Sequence, residues 1–175
     1  MMARKKTKKQ EIIVAVSGGF DPLHVGHVRL FEEAKKLGDK LIVILNNDHW
    51  LRKKKGIVFM DDCERKEIIE ALGCVDEVVL TSHTHNPEDM SVSRELLKVR
   101  PHIFANGGDR TKKNIPEIPV CESIGCKMIF SIGDGGKVQS SSWLLTNYVG
   151  SGPCHCGSGE RYKECHGKQT RTTLS

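Results

Sequence analysis

Short apolar runs alternate with segments of helical spacing along most of this chain. The first run, residues 12–16, is continuous and β-branched, as expected of a strand covered on both faces. The apolar positions of the following segment, residues 25–37, fall along one side of a helix. The same patterns predict further strands at 41–45, 75–80, 102–105 and 127–132, and helices at 61–72, 90–99, 117–124 and 140–148. This alternation predicts an α/β fold, a Rossmann-like doubly wound parallel sheet of about five strands.

Four loops of this predicted fold open on the carboxyl edge of the sheet, where ligands of doubly wound proteins bind. They are residues 17–24, 46–60, 106–113 and 133–140. The second of them is predicted to be a long polar connection that carries a basic run. Connections of this length at the end of a strand are commonly functional.

Composition divides the chain into three parts. Residues 1–10 carry five of the 27 Lys and Arg and no acid, which predicts a disordered basic tail, and the remaining 22 basic residues balance 22 acidic ones. A neutral body gives no indication of nucleic-acid binding. We expect a core domain at 11–150 and a small separate segment at 151–175. Because no apolar run approaches 18 residues and four of the seven cysteines are scattered singly, we expect a cytoplasmic protein that contacts no membrane.

The decapeptide 18–27 stands where the first strand passes into the first helix. Its opening glycines allow a sharp turn, and His24 and His27 share one face at the start of the helix. Gly26 clears space between the two imidazoles. Such a helix start offers unpaired N–H groups and a partial positive charge, to which the imidazoles add hydrogen-bond donors. The residues therefore predict a site for phosphate oxygens.

The sequence resembles the cytidylyltransferase-like nucleotidyltransferases over residues 12–149. Gly19-Phe20-Asp21 followed by His24-Val25-Gly26-His27 is similar to the HxGH signature of that family. Further motifs follow in the family's order: Leu37-Gly38-Asp39, Lys55-Gly56, Glu64-Arg65, Val75-Asp76-Glu77-Val78, Gly107-Gly108-Asp109 and the serine run 140–142.

The resemblance implies transfer of CMP or AMP from CTP or ATP to a small phosphorylated acceptor, a sugar or polyol phosphate, with release of pyrophosphate. It implies that His24, His27 and Lys55 stabilise the transition state, and that Mg²⁺ bridges the phosphates. Arg65 would steady the phosphates, and Asp109 would lie near the ribose or base. The residues that it assigns to nucleotide binding are Gly18, Gly19, Phe20, Asp21, Gly26, Arg65, Gly108, Asp109, Ser140, Ser141 and Ser142.

Two departures from the family pattern leave the nucleotide open between CTP and ATP. Relatives that use glycerol phosphate carry an arginine in a motif near the last helix, whereas this chain has residues 135–142 without arginine. The Gly-Gly-Asp version at 107–109 is closer to that of sugar-phosphate (heptose) adenylyltransferases.

A second cluster of metal-binding residue types lies near the end of the sequence. Cys154, Cys156, Cys165 and His166 place four ligands within 13 residues, in a segment too small for a core of its own. Structural Zn²⁺ would supply the missing folding energy. The segment resembles the SEC-C zinc motif, and that resemblance implies contact with a protein or a ribosome.

An interaction protein is the alternative to an enzyme. In that hypothesis the core binds a nucleotide without catalysis, and the zinc motif contacts protein or RNA. His83-Thr84-His85 could also be a metal pair, but without a nearby third ligand we expect an exposed loop. A homodimer is common in the resembled family.

Overall fold

The computed structural model describes residues 11–107, 115–133, Ser141, Leu144, 158–161 and 164–165. Its elements are β1 (Ile13–Gly18), α1 (Val25–Lys35), β2 (Lys40–Leu45), α2 (Asp48–Lys55), α3 (Asp62–Glu70), β3 (Glu77–Leu80), α4 (Ser93–Val99), β4 (Ile103–Gly107), α5 (Ile118–Ser123) and β5 (Lys127–Ile132). The strands pair in the order β3-β2-β1-β4-β5, and every pairing is parallel. The predicted α/β fold with a five-stranded parallel sheet is thereby confirmed.

Each face of the sheet has its own apolar core, because side chains alternate along a strand. Val14 and Val16 of β1 pack on one face with Phe31 of α1 and Ile69 of α3. The opposite face, which we call the α4/α5 face, buries Ala15, Ile44 and Phe104 with Leu96 of α4 and Cys121 of α5. Continuous apolar strands are therefore covered on both sides, as the sequence predicts.

The prediction for residues 46–60 is wrong in one respect, since this connection contains the helix α2. Asn47 begins the helix, with its Oδ1 accepting a hydrogen bond from the Trp50 N–H at 3.1 Å. Gly56 ends it in the left-handed region, with φ at 78°. Only Leu51 of α2 is buried, so the segment shows no apolar periodicity from which a helix could be predicted.

Several other boundaries differ by a few residues. β3 begins at Glu77 rather than at 75, and α4 begins at Ser93 rather than at 90. The predicted basic tail, most of the loop 133–140 and the boundary between residues 150 and 151 lie outside the described residues. Ser141 and Leu144 are helical, as predicted for 140–148. Among the described residues, no helix has the length and apolar character needed to cross a bilayer.

Arg65 of α3 joins three loops at the carboxyl edge of the sheet. Its side chain is fully buried, and its guanidinium donates to the carbonyl oxygens of Gly19 at 2.6 Å, Asn46 at 2.8 Å and Met60 at 2.9 Å. The remaining contact is an ion pair with Asp48 at 2.7 Å. A single side chain therefore fixes the ends of β1 and β2 relative to the start of α3.

We expect Arg65→Met to reduce the free energy of unfolding by about 3–5 kcal/mol, because it leaves the half-buried Asp48 carboxylate and three carbonyls without their donor. Lys66→Met is the matched control on the same helix. Lys66 forms a surface ion pair with Glu70, so its loss should cost no more than about 1 kcal/mol. Urea denaturation measures both, and equal losses in the two variants would contradict the structural role of Arg65.

Candidate active site

His24 and His27 form a stacked pair at the start of α1. Their ring centroids lie 3.7 Å apart, with 24° between the ring planes. His24 caps the helix, because its Nδ1 accepts a hydrogen bond from the Gly26 N–H at 3.1 Å. His27 returns the contact, with its Nδ1 facing the His24 N–H at 3.4 Å. Both rings are therefore held by the backbone of the loop that carries them.

These contacts determine where each imidazole carries its proton. A neutral imidazole has one N–H donor and one acceptor nitrogen, and here Nδ1 is the acceptor in both rings. Burial, with smaller contributions from His24 and Lys55, lowers the pKa of His27 to about 3. Burial and Lys55 also lower the pKa of His24. At neutral pH the site therefore presents two Nε2–H donors without a charge on either ring.

Lys55 supplies the positive charge of the site from the last turn of α2. Its ammonium donates to the Asp21 carbonyl oxygen at 2.7 Å, which places it against the loop between β1 and α1. Burial lowers the pKa of Lys55; Asp21 raises it and Arg65 lowers it. The structure thus brings together His24, His27 and Lys55, the three residues that the sequence predicts to be catalytic. Lys55 lies on a helix rather than on an irregular loop.

Close packing explains why glycines flank the histidines. A Cβ on Gly26 would lie 3.0 Å from the His24 imidazole, and one on Gly19 would lie 2.7 Å from Leu51 of α2. A Cβ on Gly18 would lie 2.7 Å from the Phe20 ring. These approaches fit the close loop turn that the sequence predicts.

Phe20 is a core residue of the loop. It is 5 % exposed, and its ring meets the His27 and Phe31 rings edge-on, each with centroids 5.0 Å apart. The ring therefore supports the His27 imidazole from within the core, and the role of Phe20 in nucleotide binding stays a prediction.

Asp21 and Arg65 make their contacts within the protein. Asp21 is fully buried, and its two carboxylate oxygens accept the N–H groups of Phe59 at 2.9 Å and Met60 at 2.8 Å. The Arg65 guanidinium is committed to backbone carbonyls and Asp48. Both side chains therefore position the surrounding loops, and their role in nucleotide binding stays a prediction.

Ser141 is the described member of the serine run. It is 8 % exposed, and its hydroxyl donates to the Pro22 carbonyl oxygen at 3.0 Å. Ser141 therefore contacts the loop between β1 and α1 (residues 19–24, which we call the histidine loop), and its hydroxyl is used within the protein. Gly108, Asp109, Ser140 and Ser142 lie outside the described residues.

Among the four predicted zinc ligands, Cys165 belongs to the part of the chain that the structure describes. Its N–H donates to the Arg161 carbonyl oxygen at 3.1 Å, and its sulfur accepts from the Ser158 hydroxyl at 3.6 Å. Cys154, Cys156 and His166 lie outside the described residues.

The residue that the sequence interpretation missed is Asp48. It neutralises Arg65 and receives a second contact from Arg52 at 3.6 Å. The Asn-Asn-Asp sequence after a buried strand is typical of a helix start and could have indicated both α2 and this carboxylate. His83 bonds Thr81 and Ser91 within its loop, so the metal-pair hypothesis gains no support.

We expect the buried His27 to make the protein less stable in mild acid. Its folded pKa of about 3 lies below the ordinary 6.5, so the unfolded chain takes up a proton that the folded protein excludes. This contribution is absent above pH 6.5 and grows by about 1.4 kcal/mol per pH unit as the pH falls. His27→Gln should remove this contribution. The difference in unfolding free energy between wild type and variant should therefore change by about 2 kcal/mol between pH 6.5 and pH 5.

Urea denaturation at the two pH values measures this difference. His85→Gln is the control, because His85 is exposed on the loop after β3. Identical pH dependence in wild type and His27→Gln would show that His27 is not held neutral by the fold.

Comparison with known proteins agrees with this geometry. Residues 15–120 match the family described as cytidylyltransferase-like, and residues 153–168 match the SEC-C motif. The bifunctional protein HldE of Pelobacter propionicus is 36% identical over 126 residues, 70% of this chain and 25% of that protein. The FAD synthase of Thermococcus sibiricus is 41% identical over 106 residues, 59% of this chain and 68% of that protein. The chain thus spans about a quarter of the length of the bifunctional relatives.

A solved structure shows the same arrangement of the sheet. The lipopolysaccharide core biosynthesis protein from Thermoplasma volcanium superposes with a TM-score of 0.59 at 27% identity, covering 72% of this chain and 100% of that one. With the family match extending from β1 into α5, this chain belongs to the cytidylyltransferase-like family of nucleotidyltransferases.

Proposed function

We propose that the chain transfers a nucleotidyl group, with AMP from ATP preferred to CMP from CTP, to a small phosphorylated acceptor. An oxygen of the acceptor phosphate attacks the α-phosphorus, a new P–O–P bond forms, and the bond to pyrophosphate breaks. The observation that carries the proposal is the pair of neutral imidazoles, both with Nε2–H donors, beside the Lys55 ammonium.

Fixed donors suit this reaction because negative charge increases on the oxygens around phosphorus in the transition state. The two imidazoles can donate without giving up or taking a proton in the reaction. Lys55 adds positive charge from α2. Hydrogen-bond stabilisation rather than a covalent intermediate therefore accounts for catalysis.

The relatives support ATP as the nucleotide and a polyhydroxylated phosphate ester as the acceptor. Family homologues bind nucleoside triphosphates and phosphorylated sugar or flavin acceptors. HldE carries a heptose phosphate adenylyltransferase domain, and an FAD synthase makes a product that contains an adenylyl group. No comparison supports the alternative of a non-catalytic interaction protein.

Mg²⁺ fits this site as a companion of the triphosphate. Asp21 lies within the histidine loop, and both of its carboxylate oxygens accept hydrogen bonds from backbone N–H groups. The metal would therefore take its ligands mainly from phosphate oxygens and water, and it would offset the charge of the triphosphate.

Zn²⁺ fits the SEC-C segment as a structural ion held by Cys154, Cys156, Cys165 and His166. The SEC-C motif is of a zinc-binding type. Three thiolates and one imidazole complete a tetrahedral site without an open position, so the metal would fold the segment rather than catalyse. A docking role of this segment toward protein or a ribosome remains part of the proposal.

We expect His27→Ala to lower nucleotidyl transfer by a factor on the order of 10²–10³ while the protein stays folded, because one transition-state donor is lost. Pyrophosphate release from MgATP with sugar and flavin phosphates measures the activity, and a thermal melt checks the fold. His85→Ala, on the exposed loop after β3, should keep wild-type turnover. Near-normal turnover in His27→Ala would refute the proposed role.

We expect the purified chain to contain about one zinc ion, and Cys165→Ser to lower the zinc content sharply because one thiolate ligand is removed. Cys63→Ser is the control, since Cys63 is exposed on α3. Elemental analysis after dialysis against a mild chelator measures the metal. A chain without zinc whose circular dichroism and melting are unchanged by chelator would overturn the assignment.

A further inference from the structure

Two buried oxygen atoms lack the hydrogen-bond donors that burial requires. Asn46, just after β2, is 2 % exposed, and its Oδ1 has no hydrogen-bond partner. Glu117, just before α5, is 4 % exposed, and its Oε2 likewise has none. Within the described part of the chain these are the buried side-chain atoms in this condition. Such atoms call for an explanation, since buried polar groups in native proteins are almost always paired.

Both residues are otherwise firmly placed. The Asn46 N–H donates to the Gly18 carbonyl oxygen at 2.9 Å, and the Asn46 carbonyl accepts from Arg65 at 2.8 Å. Glu117 accepts the Val92 N–H on its Oε1 at 3.0 Å. The unpaired oxygens therefore belong to an asparagine whose backbone is fixed and to a carboxylate that is fixed at its other oxygen.

The two residues lie at the same rim of the α4/α5 face. Asn46 follows Ile44 by two residues, and alternation along the strand places both on that face. Glu117 lies one helical turn before Cys121, whose N–H bonds the Glu117 carbonyl oxygen at 2.9 Å. Ile44 and Cys121 both belong to the core of this face, so the unpaired oxygens end that core at the carboxyl edge.

The position relative to the histidines suits a second substrate. α1 packs on the opposite face of the sheet, with Phe31 in the other core. Gly18, which bonds Asn46, ends β1 and leads into the histidine loop. The rim and the imidazoles are thus separated by the end of one strand, and neighbouring strands lie only about 5 Å apart.

The chemistry of the rim selects a ligand rich in donors. A carboxylate oxygen and an amide oxygen accept hydrogen bonds, and the carboxylate repels phosphate groups. The triphosphate therefore belongs with the donors on the α1 side, and hydroxyl groups belong here. We infer that Asn46 and Glu117 form the subsite for the hydroxyl-bearing part of the acceptor; this rests on the proposed function. The acceptor would cross the end of β1, with its phosphate toward His24 and His27.

Glu117→Gln tests the subsite with little disturbance of the fold. The amide oxygen can keep the Val92 bond, while the unpaired acceptor becomes an NH₂ donor. Asn46→Leu removes the other acceptor at similar volume. Glu122→Gln, on the exposed side of α5, is the matched control. Acceptor and ATP are varied in turn, with glycerol phosphate, ribose phosphate and flavin mononucleotide as acceptors and methyl phosphate as the hydroxyl-free probe.

We expect each subsite variant to raise the KM for hydroxylated acceptors about ten- to a hundredfold. The KM for ATP and the rate with methyl phosphate should change less than about threefold, because the triphosphate and the phosphate nucleophile lie on the other side. An unchanged acceptor KM in Glu117→Gln, or an equal rise in both KM values, would overturn the subsite and leave buried water as the partner of these oxygens.

A binding arm separates the subsite from the proposed activity. Calorimetry of the protein saturated with an α,β-methylene analogue of ATP measures acceptor affinity without turnover. If wild type releases no pyrophosphate with any triphosphate, the proposed function fails. Hydroxylated phosphates that nevertheless bind wild type and lose affinity in Glu117→Gln would still support the subsite, and failure of all of them to bind would refute it.

Discussion

The buried guanidinium of Arg65 is the interaction on which the site depends. The side chain is fully buried, and it donates to carbonyl oxygens of three segments that are distant in sequence. Desolvating such a charge is costly unless its donors are satisfied, and here Asp48 and the three carbonyls satisfy four of them. The Gly19 carbonyl is fixed in this way five residues before His24. Because Asp48 begins α2, the same network also sets the helix that carries Lys55.

Fixed loops let neutral imidazoles serve a reaction of highly charged substrates. Burial keeps His24 and His27 uncharged, so they cost little to hold side by side in contact. A bound triphosphate would bring negative charge to within hydrogen-bond distance and would raise both pKa values. The site can therefore strengthen its donors as the phosphate oxygens gain charge, without rearranging the loop.

Much of the fold could be predicted from the sequence, because continuous β-branched runs require cover on both faces and leave few alternatives. The histidine loop could be predicted as well, since its spacing is informative by itself. Some local features could not be predicted from the sequence. α2 has one buried residue, Leu51, so its sequence shows no helical pattern of apolar positions. The resemblance assigns Arg65 and Asp21 to the nucleotide, but it does not display the carbonyls and N–H groups that are their partners within the protein. Asn46 and Glu117 are ordinary polar residues in the sequence, and only burial makes their oxygens unusual.

The two sides of β1 therefore differ in hydrogen-bonding character. On the α1 side the described groups are donors: two Nε2–H groups and an ammonium. On the α4/α5 side the unpaired atoms are acceptors. A phosphate ester with hydroxyl groups has the complementary division within one molecule, acceptors at its phosphate and donors along its body. A substrate of this kind would bind in one direction only, since the reverse orientation would place its phosphate against the Glu117 carboxylate. The polarity of the site would thus orient the nucleophile toward the α-phosphorus before any contact specific to one sugar or flavin is made.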